Sequence, residues 1–158
     1  MKLLWILLLF SCSGTHAAPR NISVNYYSSG NPFDLGIFYD AFGRAAVFWY
    51  QNCGVIFSIS AIDEVSQPKE TSEVVNIWWG PLPTGKLAAT TNQTILGRWR
   101  GSMVTISPIV SNKNIERVLT HELGHVLGLE HVSDKRGMMS PELFGNRLSQ
   151  VEIDRCRQ

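Results

Sequence analysis

The 158-residue chain is short of several things, and each shortage excludes something. It has no charge excess: 14 basic residues face 13 acidic ones. A balance that even gives no electrostatic case for nucleic acid or an anionic membrane surface as partner. It has no long hydrophobic run. The longest, Leu3 to Phe10, is too short to span a bilayer. There is no internal repeat and no low-complexity stretch, which excludes solenoids, propellers and long linkers. Tyrosine is absent after Tyr50, histidine occurs four times and cysteine three times. The length suits one domain with one core.

The opening residues read as a leader. Met1-Lys2 supplies a basic start, the apolar stretch follows, and SCSGTHAA ends in small residues. Cleavage is expected after Ala17, because a cut after Ala18 would place Pro19 beside the scissile bond. Residues 1–17 are thus expected to be a signal peptide and 18–158 the mature domain, secreted and extracellular. An alternative makes Ser11-Cys12 a lipid-attachment site, but bulky Phe10 suits it poorly. Loss of Lys2 brings the mature net charge to zero, and only Cys53 and Cys156 survive cleavage. In an oxidising compartment the default is a disulfide between them, the alternative being two separate buried thiols. Asn21-Ile-Ser and Asn92-Gln-Thr are glycosylation sequons for a eukaryotic secretory route.

Against this plain background stands His121 to His131, HELGHVLGLEH. Two histidines four apart leave one face of a helix and can grip one metal ion. Glu122 projects about 100° away, where it can reach a water on that metal rather than join the ligands. Gly128 can take a positive φ, end the helix and turn the chain so that His131 arrives as a third nitrogen. Three imidazoles with one position left open describe a catalytic zinc site. Five fixed positions of this kind arise by chance in such a chain on the order of once in 100,000, so a coincidental helix is the weaker explanation. Met139 follows in GMMSP, where the H-E-x-x-H-x-x-G-x-x-H pattern calls for a methionine.

The rest of the chain reads as one α/β unit. Alternation at Ile22, Val24 and Tyr26 predicts a first strand. Leu35, Phe38, Phe42, Ala45 and Trp49 predict a helix over about 34–52, with Asp34 as N-cap and Gly54 as stop. Strands are expected at 55–60, 74–79 and 102–107, with a short, weaker edge strand at 86–90. Residues 63–72 read as polar and irregular. The motif helix should start at Asn112 or Asn114 and turn Ile115, Val118, Leu119, Leu123, Val126 and Leu127 to the core. Ser149 with Glu152 predicts a capping box for a last helix, with Val151, Ile153 and Cys156 inward.

NIERVLTHELGHVLGLEH and GMMSP resemble the zinc helix and Met-turn of the matrixins, the matrix-metalloprotease branch of the metzincins. RLSQVEIDRC resembles the opening of their closing helix. More loosely, AVFWY, NIWWG and KLAAT are similar to the first helix, third strand and substrate-edge strand. The resemblance implies a twisted five-stranded mixed sheet with two long helices and zinc in a cleft. A short C-terminal subdomain should carry the Met-turn and the closing helix. It implies substrate contacts at Leu87, Ala88, Ala89 and Pro141, and it puts Arg117 at the bottom of the pocket for the residue after the scissile bond. Departures matter too. Ala89 stands where the family places a histidine for a second, structural zinc, and the acidic calcium loops are missing. One catalytic zinc and no structural zinc or calcium are therefore expected. Val132, Ser140 and Val151-Glu152 also replace family residues. With little room before the first strand and no cysteine switch, the expectation is a minimal, monomeric, stand-alone domain without a propeptide.

Two functions fit these residues. The first is a secreted zinc endopeptidase acting on protein or peptide substrates, with matrix, host or other secreted proteins as candidates. His121, His125 and His131 would hold zinc, Glu122 would act as general base, and Met139 would floor the site. No tyrosine follows the motif to stabilise an oxyanion, so that charge would fall to the metal. The second is a catalytically silent decoy or binding protein on the same scaffold. Such a protein would be free to lose Glu122, and Glu122 is present.

Overall fold

Alternating apolar side chains build the middle of the sheet. In β1 (Arg20–Tyr27), Ile22, Val24 and Tyr26 are buried while Ser23 and Asn25 between them are only partly so. The computed structural model describes residues 20–64, 73–142 and 145–158. The expected signal peptide, with Cys12 and His16, lies outside the described residues, as does most of the polar segment after Asp63. Next come α1 (Leu35–Cys53), β2 (Val55–Asp63), β3 (Val74–Trp79), β4 (Ala88–Ile95), β5 (Arg98–Ile106), α2 (Ile115–Val126) and α3 (Gln150–Cys156).

The strands lie in the order β2-β1-β3-β5-β4. All neighbours run parallel except β4, which pairs antiparallel with β5 and forms one edge. This is the five-stranded mixed sheet of the α/β fold that the sequence resemblance implies. The long crossovers between parallel strands leave room for α1, whose Phe38, Ala41, Phe42, Ala45 and Trp49 are buried. Asp34 caps α1 by accepting from the Gly36 amide at 2.7 Å, and Gly54 closes it in the left-handed region. Leu35, expected in the apolar stripe, is 43% exposed instead. It sits in the first turn, at the margin of the packed surface.

The Tyr26 ring stacks on Phe38 at 3.7 Å, and its hydroxyl accepts from the Trp79 indole at 2.8 Å. Burial pushes that hydroxyl up to about 12, so it stays protonated and polar without being charged. One aromatic cluster thus joins β1, β3 and α1 under the sheet.

Two expectations need correction here. The edge strand is not a short piece at 86–90. It begins at Ala88 and runs to Ile95, and β5 starts at Arg98 rather than Ser102. The reason is a hairpin: Leu96 (φ 51°) and Gly97 (φ 74°) form its two-residue turn, and pairing carries polar residues such as Thr91 and Asn92 into the ladder. In α3, Val151 is 65% exposed and Glu152 is buried. The Glu152 carboxylate accepts from the Ser149 amide at 2.7 Å while Ser149 Oγ accepts from the Glu152 amide. This capping box holds Glu152 on the face it shares with Cys156.

That face is covalently held. Cys53 at the end of α1 and Cys156 at the end of α3 form a disulfide with α-carbons 5.5 Å apart.

Candidate metal centre and cleft

α2 is short and strongly two-faced. Ile115, Val118, Leu119, Leu123 and Val126 are buried in the core, and His121 and Glu122 are buried too, at the floor of a cleft. Gly124 is the point of closest approach beneath the motif. A Cβ there would lie 2.9 Å from the Trp49 ring and closer still to the Met139 sulfur. Glycine is what lets the helix settle on those two residues.

The end of α2 is built to return the chain. Gly128 takes φ 79°. Its amide donates to the His125 carbonyl at 2.9 Å, and the Leu129 amide donates to the Gly124 carbonyl at 3.0 Å. These two bonds make a Schellman motif, which satisfies the last carbonyls and aims the chain back across the cleft. His131 follows three residues later.

The three Nε2 atoms converge. His121 and His131 are 3.1 Å apart, His121 and His125 3.1 Å, and His125 and His131 3.2 Å. A tetrahedral zinc with Zn–N bonds of about 2.0–2.1 Å requires its nitrogens roughly 3.3 Å apart, so the triangle fits such an ion. The tautomers fit as well. His121 Nδ1–H donates to the Met138 carbonyl at 3.0 Å, and His125 Nδ1–H donates to the Leu129 carbonyl at 2.7 Å. Each bond fixes a ring and leaves the Nε2 lone pair pointing inward. Burial pushes His121 down to about 4 and also lowers His125, against the pull of those carbonyls. In these two rings the neutral form is favoured, the form that a metal ligand needs. Among the described residues this trio is the one group of three or more His, Cys, Asp or Glu side chains placed to hold an ion.

Met139 is fully buried beneath the motif helix, and its carbonyl accepts from the Val132 amide at 3.0 Å. The GMMSP turn therefore serves the site twice. Met138 orients the first histidine through its carbonyl, and Met139 packs under Gly124 and anchors the segment that bears His131.

Glu122 faces the cleft from the same helix. Burial pushes its carboxyl up to about 7, opposed by a hydrogen bond from Thr90 and by the charge of Lys86. Thr90 Oγ1 donates to Glu122 Oε2 and also lies 3.3 Å from the Glu122 carbonyl. Two residues along the same strand, Asn92 Nδ2 donates to the His125 carbonyl at 2.6 Å, and Asn92 Oδ1 accepts from Ser102 Oγ.

The cleft between β4 and α2 is open, with a volume of about 1010 Å³. Leu87, Ala88, Ala89, Arg117 and Pro141 all line it together with His121, Glu122, His125 and His131. Sequence reasoning brought these residues to one place but missed Thr90. It marked Asn92 only as a sequon, whereas the structure commits that side chain to the cleft wall. The available signal was only the two-residue spacing of 90 and 92, which puts both side chains on one face of a strand. Which helix that face meets is not written in the strand itself. Asn21, the other sequon, is exposed in the first turnless residues of β1.

A family model described as Matrixin matches residues 54–155, well over half of the chain. Metalloendoproteinase 1 of Glycine max is 42% identical over 59 residues, a stretch that covers 35% of this chain and 19% of that protein. The chain therefore aligns with only a minor part of that curated relative's length.

Proposed function

Because the chain belongs to the matrixin family, we propose that it is a secreted zinc-dependent metalloendopeptidase that hydrolyses internal peptide bonds of proteins. The observation that carries this reading is the convergence of three imidazole nitrogens on one point beside a buried carboxyl group, at the floor of an open cleft. His121, His125 and His131 would hold one zinc per chain. Bound there, zinc would supply Lewis-acid chemistry, lowering the pKa of a water and polarising a peptide carbonyl.

The chain's own residues do the rest. Glu122 takes the proton from the attacking water and returns it to the departing amine, the usual double duty of a general base. Its placement one residue after a ligand keeps it beside the metal without spending it as a fourth ligand. β4 is the sheet edge that borders the cleft, so its outer backbone groups can pair with an extended peptide. Leu87, Ala88 and Ala89 would lie along such a peptide, with Pro141 on the opposite wall. Arg117, one helical turn before His121, would close the pocket for the residue after the cut.

Ala89 stands where a structural-zinc histidine would be in the family, which supports a single ion. A leader of residues 1–17 supports secretion, as does the disulfide. No helix among the described residues is long and apolar enough to cross a membrane.

The test is incubation of purified protein with casein or gelatin, with and without a chelator. Cleavage abolished by the chelator and restored by zinc is expected. Cleavage indifferent to the chelator, or none at any zinc level, would refute the reading.

A further inference from the structure

We propose that Thr90 is a positioning residue for Glu122: its hydroxyl holds one carboxylate oxygen so that the other is presented to the reacting water. The inference rests on the hydrolase reading above.

The geometry comes from two elements far apart in sequence. Thr90 lies on β4, directly opposite Val104 in the β4–β5 ladder, and is partly buried. Its Oγ1 donates to Glu122 Oε2 and sits 3.3 Å from the Glu122 carbonyl, so one hydroxyl meets both the side chain and the backbone of the base. A carboxylate offers about four lone-pair sites, so a single bond from Thr90 fixes its orientation and leaves capacity for a proton on the other oxygen. A glutamate side chain has three rotatable bonds, and an unrestrained one spends much of its time out of reach of the reacting atoms.

The donor is itself held. Two residues on, Asn92 donates to the His125 carbonyl at 2.6 Å and accepts from Ser102, whose hydroxyl also accepts from the Trp99 indole at 2.9 Å. Asn92 thereby clamps the same strand to the same helix one turn beyond Glu122, so Thr90 cannot drift from the carboxylate it meets. Threonine suits the position for a second reason: β-branching leaves it few rotamers on a strand.

The experiment compares Thr90→Val, which keeps the shape and removes the hydroxyl, with Thr90→Ser, which keeps the hydroxyl. On a peptide substrate, Thr90→Val should lower kcat about ten- to a hundredfold with KM within about twofold of wild type. Thr90→Ser should recover most of that loss. Zinc content should be unchanged in both variants. A readout independent of turnover is thermal unfolding of the chelated protein. Thr90→Val should lower the melting temperature more when Glu122 is present than in a Glu122→Ala background, where only the backbone carbonyl of residue 122 remains as acceptor. An active wild type whose valine variant keeps full kcat, a serine variant as impaired as valine, or equal melting shifts in both backgrounds would each overturn Thr90's role alone. A wild-type chain that cuts no peptide would instead overturn the hydrolase reading, and Thr90's catalytic use with it.

Discussion

Trp49 donates its indole N–H to the carbonyl of Thr120 at 2.9 Å, with both groups out of reach of solvent. The bond joins the last turns of α1 to the residue just before His121. The same indole ring and the Met139 thioether then flank Gly124. α1, the motif helix and the Met-turn meet at one α-carbon.

Gly124→Ala should therefore destabilise the protein, although alanine is the better helix former by about 1 kcal/mol. The added methyl would stand 2.9 Å from the Trp49 ring and closer to Met139, and overpacking of that kind costs about 1–3 kcal/mol. Thermal unfolding should show a lower Tm and a lower zinc affinity together. An unchanged or raised Tm would mean the contact is soft.

The disulfide gives a second prediction. Cys53 and Cys156 are 103 residues apart in sequence, and closing a loop near that length is rated at about 4.7 kcal/mol by the chain-entropy model, an upper figure. Intact mass after alkylation without reductant should show both cysteines unmodified. Reduction, or Cys156→Ser, should lower the midpoint of urea unfolding. Two alkylated cysteines before reduction would rule out the bridge.

The motif and most of the helix boundaries were legible in the sequence because they rest on local chemistry. Asp34 and Gly54 bracket α1, Ser149 and Glu152 begin α3, and the spacing from His121 to Met139 needs no tertiary information. The β4–β5 hairpin was not legible in the same way. Thr91 to Ile95 has no apolar alternation, and Leu96 is an unusual residue for a turn position with positive φ. Pairing with β5 overrides those weak preferences. Thr90 was missed for a related reason. A threonine on an edge strand looks like any other until α2 is laid against it. Val151 was expected inward on hydrophobicity alone, while the capping box rotates α3 to bury Glu152 instead.

Burial at Glu122 sets a pH dependence for the metal-free protein. Its folded pKa is raised to about 7, from an unfolded value of about 4.5. Between those values the folded state binds the proton and the unfolded state does not, so this group's contribution falls as pH rises through the window. In chelated protein, Glu122→Gln should gain stability relative to wild type from about pH 4.5 to about pH 7 and then level off. Denaturant titrations across that range would show it. A constant difference would mean the carboxyl titrates normally.

Arg117 lines the cleft one turn before His121. A long side chain there would make the pocket shallow and end it in a charge, favouring Leu or Ile after the cut over large aromatics. Discrimination should be tens-fold, since one methylene of fit is worth roughly 1–3 kcal/mol. Arg117→Ala should admit larger side chains in a peptide-library cleavage profile. Superimposable profiles would place Arg117 outside the pocket.

The proposed division of labour gives the metal to three histidines and the proton to Glu122. Glu122→Gln separates the two roles, because it keeps every ligand and the side-chain volume but removes the base. Zinc per chain and peptide turnover measured on the same preparation decide the matter. One zinc per chain, as in wild type, is expected, with turnover lowered about 10²- to 10⁴-fold. Wild-type turnover at equal zinc content would contradict it.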